Sequence, residues 1–487
     1  MHEANIKKRS AVFAPISLWE SHQAEALELA ISLSKKGEEV FIFHCREVIR
    51  SCAANPKKEF VKCKECIFQF ENSRRLLENE KVNIKIVPID PKSIRMLKIC
   101  TDELATGWGN LIKFQYKEHP FGKFIVSDLM VQSRDLYLDD SLLVKAHEML
   151  ANSINLYEYF LIQLRILNIN EVWVWNGRRA ADVPLVFAAR DLGIDSQFFI
   201  TGSKWGKLSV QRKPLSQISG ITEAIVEWRN KRLANDQRSV MESEGREFFN
   251  QLKTGQSQLP GYINFMRDNQ KLNSDLVLDE SKKNLVLFTS SMWEYSSEPE
   301  FKEINPEFFD HYEVYRYLCS NDFILSKYNL IVRWHPNLVT AGKGELIRQA
   351  QVIDSSPRAI HILQVDKVNS YGLLEKANLV VTCGSTMGIE AVAMGKPSIL
   401  LGTAAYKGLG SVYEPTNFSD FLRIISNDVL PLNQEGAWAY GDWTKNFGNF
   451  FSYVNHLEGK NFLNGVRIHR KLPLLFKFYR RFLGLLA

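Results

Sequence analysis

The chain has 487 residues, 45% hydrophobic and 24% charged, with a net charge of +6. These values exclude a largely disordered chain, a collagen-like repeat and a polytopic membrane protein, and the length suits two or three domains. The excess charge is local: positions 466 to 487 hold Arg467, Arg470, Lys471, Lys477, Arg480 and Arg481 and no acid, so the rest nets zero. The body therefore gives no electrostatic basis for nucleic-acid binding. The sequence shows no apolar run of about 18 residues and no signal-peptide core near its start, so a cytoplasmic protein is expected.

In chain order, a strand is predicted over 10–13. A helix follows over 20–36, with Ala26, Leu29, Ala30 and Leu33 on one face. Gly37 closes it. Strands follow over 40–43 and around Val82, Ile84 and Ile86. A long helix near 140–167, a strand over 171–175, a helix over 181–192 and a strand over 197–200 complete a first α/β set. Such alternation predicts a mainly parallel sheet covered by helices. The polar, helical stretch 216–282, with a break at 255–261, reads as interdomain. Strands over 284–288, 329–333, 359–363, 379–382 and 397–401, with helices near 311–326 and 389–394, form a second set. The expected boundaries are 1–270 for an N-terminal domain, 271–464 for a C-terminal domain and 465–487 for a tail. Two such halves predict a cleft between them at the carboxyl ends of strands.

Three strand ends in the second set carry candidate chemistry. In LVVTCGSTMGIEAVAMGKPSILLG (379–402), a strand runs into Gly384-Ser385-Thr386 and then a helix. A helix N-terminus offers backbone N–H groups and a positive dipole end to phosphate. Gly384 would allow close approach, Ser385 and Thr386 would add donors, and Glu390 would meet ribose hydroxyls; the simpler alternative is a Ser385 cap. In LIVRWHPNL, Pro336 extends His335 beyond its strand. Arg333 and His335 would together neutralise a leaving phosphate, or His335 is a surface residue in a turn. In LVLFTSSMWEYSS, Ser290 and Ser291 suit a phosphate or sugar contact, and a capped turn equally. In the first set, Asn176-Gly177-Arg178 ends a strand, and Arg178 or Arg179 would bind an anionic sugar or lipid phosphate.

Strand-Ser-Ser, strand-R-x-HP and strand-GST-x-GIEA-x(3)-GKP together resemble the capsule polysaccharide biosynthesis glycosyltransferases, including the retaining Kdo transferases. The HP and Ser-Ser/Thr pairs are also similar to those of bacterial sialyltransferases. The resemblance covers roughly 284–415, and Asn176–Arg178 fits the same family's N-terminal half. It implies a GT-B fold, two Rossmann-like domains facing a central cleft. It implies that His335 stabilises the departing nucleotide phosphate, as general acid or charge partner, while Ser385 and Thr386 bind that phosphate. Arg333, Ser290, Ser291, Gly384 and Glu390 would line the donor site, and Asn176 and Arg178 the acceptor site. Sialyltransferases carry a D/E-D/E-G triplet as base; here Asp139-Asp140 is followed by Ser141. Glu20 and His22, beyond the first strand, are the candidate bases.

Cys45, Cys52, Cys63 and Cys66 fall within 22 residues of one another. Their spacing suits a structural zinc or iron–sulfur site, or ordinary cysteines of a capping loop. Positions 474 to 486 place Lys477, Arg480 and Arg481 on one side of a helix and leucines and phenylalanines on the other. That pattern reads as an interfacial anchor for the inner leaflet, or as a terminal helix docked on the body. The expected function is transfer of a sugar from a nucleotide sugar, CMP-activated by the resemblance, to a surface polysaccharide or lipid-linked acceptor. No cofactor is required for that transfer. The alternatives are a CDP-polyol phosphotransferase of teichoic-acid type and a non-catalytic polysaccharide export scaffold.

Overall fold

The computed structural model describes residues 7–89, 91–94, 107–214, 218–256, 276–295, 307–473 and 476. It divides into two compact units. Unit 1 comprises Met1–Gln132, Asp139–Ser216 and Phe447–Ala487; unit 2 comprises Ser133–Leu138 and Gln217–Asn446.

The chain begins with β1 (Arg9–Phe13), α1 (Glu20–Lys35), β2 (Glu39–Cys45), α2 (Phe60–Glu78) and β3 (Ile84–Ile89). After α3 (Phe121–Ser133) and α4 (Leu143–Ile166) come β4 (Glu171–Trp175), α5 (Val183–Asp191), β5 (Asp195–Thr201) and β6 (Lys207–Gln211). Ala11, Val12 and Phe13 of β1 are fully buried, because a central parallel strand is covered on both faces and so reads as a continuous apolar run. Gly37, at φ +97°, ends α1 in a conformation that disfavours other residues. The parallel strands lie in the order β3-β2-β1-β4-β5, and β6 adds antiparallel at the β5 edge. The order reverses at β1, which opens a crevice at the carboxyl ends of β1 and β4.

Unit 2 begins with α6 (Ile218–Ala234) and α7 (Arg238–Lys253). Then come β7 (Lys283–Phe288), α8 (His311–Ser320), β8 (Tyr328–Arg333), α9 (Lys343–Asp354) and β9 (Ile360–Ile362). β10 (Leu379–Thr382), α10 (Met387–Ala393), β11 (Ser398–Leu400) and α11 (Glu435–Asn446) close it. The order β11-β10-β7-β8-β9 reverses at β7, so this unit has its own switch point between β7 and β10. Its core packs Leu285, Leu287, Val332, Trp334 and Val381 against Tyr312, Tyr315 and Leu318 of α8. Residues 133–138 dock on α9: Asp135 accepts the Gly344 N–H at 2.8 Å, and a side chain at Gly342 or Gly344 would strike Asp135.

Past α11 the chain returns to unit 1. β12 (Asn449–Phe450) pairs with β6, and β13 (Val454–Leu457), β14 (Lys460–Leu463) and β15 (Val466–Arg467) form a small antiparallel sheet. Glu28 of α1 fastens the return by accepting the N–H groups of Ser452, Tyr453 and Val454 at 2.7–2.9 Å.

The α/β class with two mainly parallel sheets is observed. The boundary expected at 270 falls at 216/217, because α6 and α7 pack on α11. Buried Asp442 takes hydrogen bonds from Trp228 and Arg232, and Gly245 lies against the Trp438 backbone. The boundary expected at 464 falls at 446/447, because 447–470 belong to unit 1. The start of the expected tail is also docked: Arg467 pairs with Glu20, and the Arg470 backbone bonds to Gln69. The amphipathic stretch 474–486, apart from Phe476, and the break at 257–261 lie outside the described residues. No helix among the described residues is long and apolar enough to cross a membrane.

Candidate functional site

The three segments singled out in the second half follow β10, β7 and β8, which are neighbours in the unit 2 sheet. Their carboxyl ends therefore converge at the switch point, where Rossmann-like sheets bind ligands. The segments are also stitched together. Thr289 N–H continues the ladder to Arg333 O, and the His335 N–H donates to Thr289 Oγ1 at 2.9 Å.

His335 Nδ1 accepts the Asn337 N–H at 3.2 Å and lies 3.3 Å from Ser291 Oγ. A backbone N–H must donate, so the neutral ring carries its proton on Nε2. Burial, with the nearby Arg333 charge, pushes the imidazole down to about 4. Ser290 is buried, and its N–H donates to the Tyr315 hydroxyl. Arg333 is also buried. Its guanidinium is spent on the carbonyls of Leu363 and Asp366, leaving Nε without a partner among the described residues. Arg333 thus fastens the loop after β9 and presents no free fork to a ligand.

The Gly384-Ser385-Thr386 turn is held by two tyrosines that sequence reasoning missed. Tyr295 OH donates to Gly384 O at 2.6 Å, and Tyr406 OH donates to Ser385 O at 2.7 Å. In a trans peptide the carbonyl and the following N–H point to opposite sides. Tying back these two carbonyls therefore turns the Ser385 and Thr386 N–H groups the other way. Neither donates a hydrogen bond among the described residues, so the turn offers two successive N–H groups, an anion-binding arrangement. The N–H groups of Met387, Gly388, Ile389 and Glu390 are instead already taken by Ser385 and Thr386 oxygens.

Two expectations for this segment need correction. Gly384 is required by Tyr295, whose hydroxyl would stand 2.3 Å from an added Cβ; close approach of a phosphate is not its evident reason. Glu390 is buried with both oxygens occupied, by Thr386 Oγ1 and by the Tyr371 hydroxyl. Burial raises its carboxyl above the ordinary value. It braces α10 and is not turned toward a ribose.

At the switch point of unit 1, Glu20 is not placed as a base. Its carboxylate accepts from Arg467 and the Asn461 N–H. Burial opposes its charge, but Arg467, Asn461 and His469 hold the carboxyl below its ordinary value. His22 lies in an aromatic cluster, its ring centre 3.9 Å from that of Trp175 and 4.6 Å from that of Trp19. Burial and Arg179 push it down to about 3, so it is a neutral group of weak basicity. Asn176 and Gly177 have φ of +64° and +78°, values that mark a tight turn returning the chain from β4. A side chain at 177 would strike the Phe198 ring. Asn176 and Arg178 both hold other partners.

Cys45 ends β2, Cys52 lies in the following loop, and Cys63 and Cys66 sit on α2. No three His, Cys, Asp or Glu side chains among the described residues come together as a metal-ligand set. Burial pushes Cys45 up to about 11 and Cys66 up to about 12. Without a metal these are neutral thiols; a bound zinc ion or cluster would itself deprotonate its ligands.

Residues 325–419 match the family model of capsule polysaccharide biosynthesis proteins. That span contains the β8 and β10 ends of the site. No curated protein matches the sequence. Among solved structures, Thermosulfurimonas dismutans KpsC, a beta Kdo 2,4 transferase, is 15% identical, covering 59% of this chain and 80% of its own at a TM-score of 0.35. Acinetobacter baumannii MurG is 12% identical, covering 90% and 94% at 0.24. The UDP-GlcNAc 2-epimerase of Neisseria meningitidis, bound to UDP-GlcNAc, is 10% identical, covering 90% and 97% at 0.24.

Proposed function

We propose that the protein is a GT-B glycosyltransferase of capsule or lipopolysaccharide biosynthesis, moving a sugar from a nucleotide donor to a polysaccharide or lipid-linked acceptor. The observation that carries this reading is the convergence of Ser291, His335 and the Ser385-Thr386 N–H pair on the unit 2 switch point. The capsule-biosynthesis family match over 325–419 supports it. The Ser385 and Thr386 N–H groups hold the donor phosphate, as preorganised donors aimed at developing negative charge. His335 donates through Nε2–H. With its imidazole near 4, only about one ring in a thousand is charged at pH 7. The unliganded His335 is therefore a hydrogen-bond donor; the second negative charge that develops on the phosphate as CMP departs favours the imidazolium and moves the group toward proton transfer.

A CMP-sugar is the favoured donor class, carried by the sequence resemblance. The acceptor binds at the unit 1 switch point, and the basic C-terminal stretch holds the enzyme at the inner leaflet. The test is a release assay with CMP-Kdo and CDP-glycerol on wild type and His335→Ala. CMP release from CMP-Kdo that falls at least tenfold in the variant supports the reading. Release from CDP-glycerol alone overturns it in favour of a polyol phosphotransferase.

A further inference from the structure

Arg179 stands just beyond β4, and its surroundings are unusual for a half-buried guanidinium. It makes no side-chain hydrogen bond or ion pair among the described residues, and its Nε is buried without a partner. It is held instead over two indoles, 5.9 Å from the ring centre of Trp19 and 5.8 Å from that of Trp175. Cation–π contact keeps such a group in place without consuming its donors. Two carboxyls lie near enough to influence it, but both are committed elsewhere. Asp128 accepts the Ala180 N–H, and Asp182 accepts the backbone N–H of Arg179 itself. Both are almost wholly buried, and burial raises both, Asp182 up to about 8. Asp182, kept largely protonated at neutral pH, does not neutralise a cation, and burial weakens Asp128 as a counter-charge. Beside Arg179, His22 Nδ1 is a second buried polar atom without a partner.

A guanidinium whose buried Nε has no partner is costly to keep unless something uses it. We propose that Arg179, with Trp19 and His22, binds the anionic group of a saccharide, a carboxylate or a phosphate, at the unit 1 switch point. This deepens the transferase reading and rests on it for the ligand's role as acceptor. It moves the acceptor contact from Arg178, which is already engaged, to Arg179. Trp19, partly exposed, supplies an apolar face for the sugar ring. The His22 ring, neutral at physiological pH, completes the seat without repelling a hydroxyl donor.

The experiment is titration of the full chain with Kdo, glucose 1-phosphate, galactose and inorganic phosphate, read by tryptophan fluorescence. Trp19 and Trp175 serve as the reporters. Saturable quenching by Kdo or glucose 1-phosphate, absent with galactose, is expected, and the better ligand identifies carboxylate or phosphate as the group recognised. Arg179→Met should weaken that binding at least tenfold, the loss of a charge-assisted bond, and Arg179→Lys should weaken it less. Unchanged affinity in Arg179→Met overturns the proposal. So does equal binding of galactose, or inorganic phosphate binding as tightly as the sugars. Thermal melts of each variant show whether it is folded. His335→Ala should bind these sugars as wild type does. Sugar binding without any nucleotide binding would defeat the transferase reading and leave the seat standing.

Discussion

Replacing Gly384 with Ala tests how the Gly384-Ser385-Thr386 turn is built. An added Cβ would stand 2.3, 2.4 and 2.7 Å from the hydroxyl oxygen, Cζ and Cε1 of Tyr295. All three are too close, and the ring relieves them only by moving, which breaks the 2.6 Å bond from Tyr295 OH to Gly384 O. Overpacking costs about 1–3 kcal/mol, and the lost bond adds about 1 kcal/mol. The expected destabilisation is about 2–4 kcal/mol, read from urea midpoints. Tyr295→Ala removes the obstacle, so adding Gly384→Ala in that background should cost under about 0.5 kcal/mol. The double-mutant cycle should therefore show coupling of about 1.5–4 kcal/mol. Gly395→Ala is the control. Gly395 has φ +75° and no neighbour within 4 Å of an added Cβ, so it should cost about 1 kcal/mol through the backbone alone. Additive Gly384 and Tyr295 effects, or a harmless Gly384→Ala, would refute this construction of the turn.

Glu20→Gln should lower stability while leaving the pH profile of transfer unmoved, because Glu20 is bound to Arg467; a lost acidic limb in the kcat profile would restore it as a base. Between about pH 7.3 and 8 stability should fall as pH rises. Asp182, held up to about 8, is protonated when folded and ionised when unfolded across that window, whereas the buried histidines His22 and His44, near 3 when folded and about 6.5 when unfolded, are mostly neutral in both states there. The slope is up to about 1.4 kcal/mol per pH unit, and Asp182→Asn should flatten it in pH-resolved denaturation curves. EDTA should leave Tm unchanged, since the thiols of Cys45, Cys52, Cys63 and Cys66 are not gathered as a ligand set; a drop of several degrees reversed by zinc would show the opposite.

Much of the fold was legible because parallel strands are short apolar runs at regular intervals. The bounds read for β4 and β10 agree with those observed. The domain boundaries were not legible. Helices α6 and α7 are polar enough to resemble a linker, and their partner α11 lies about 200 residues later. The small sheet β13–β15 escaped for a similar reason, since its anchor is Glu28, over 400 residues away. In the site, the order of motifs along the chain located three strand ends, and sheet order brings them together. What the sequence hid is which polar atoms are already spent. Glu20, Arg333 and Glu390 have suitable chemistry, but Arg467, two carbonyls and two hydroxyls occupy them. Tyr295 and Tyr406 carry no motif, and only a glycine with no room for a Cβ betrays them. Arg179 was visible beside Arg178; the distinction between them lies in partners that a one-dimensional pattern does not contain.

The central claim is that a nucleotide phosphate binds among Ser385, Thr386 and His335. Thermal stabilisation by CMP, CDP, UDP and GDP, on wild type and His335→Ala, tests it most directly. A nucleotide at about 100 times its Kd adds about 2.7 kcal/mol, a shift of several degrees. The account predicts such a shift for one nucleotide, CMP first, and a clearly smaller shift in the variant. No shift with any of the four, or an equal shift in His335→Ala, would contradict it.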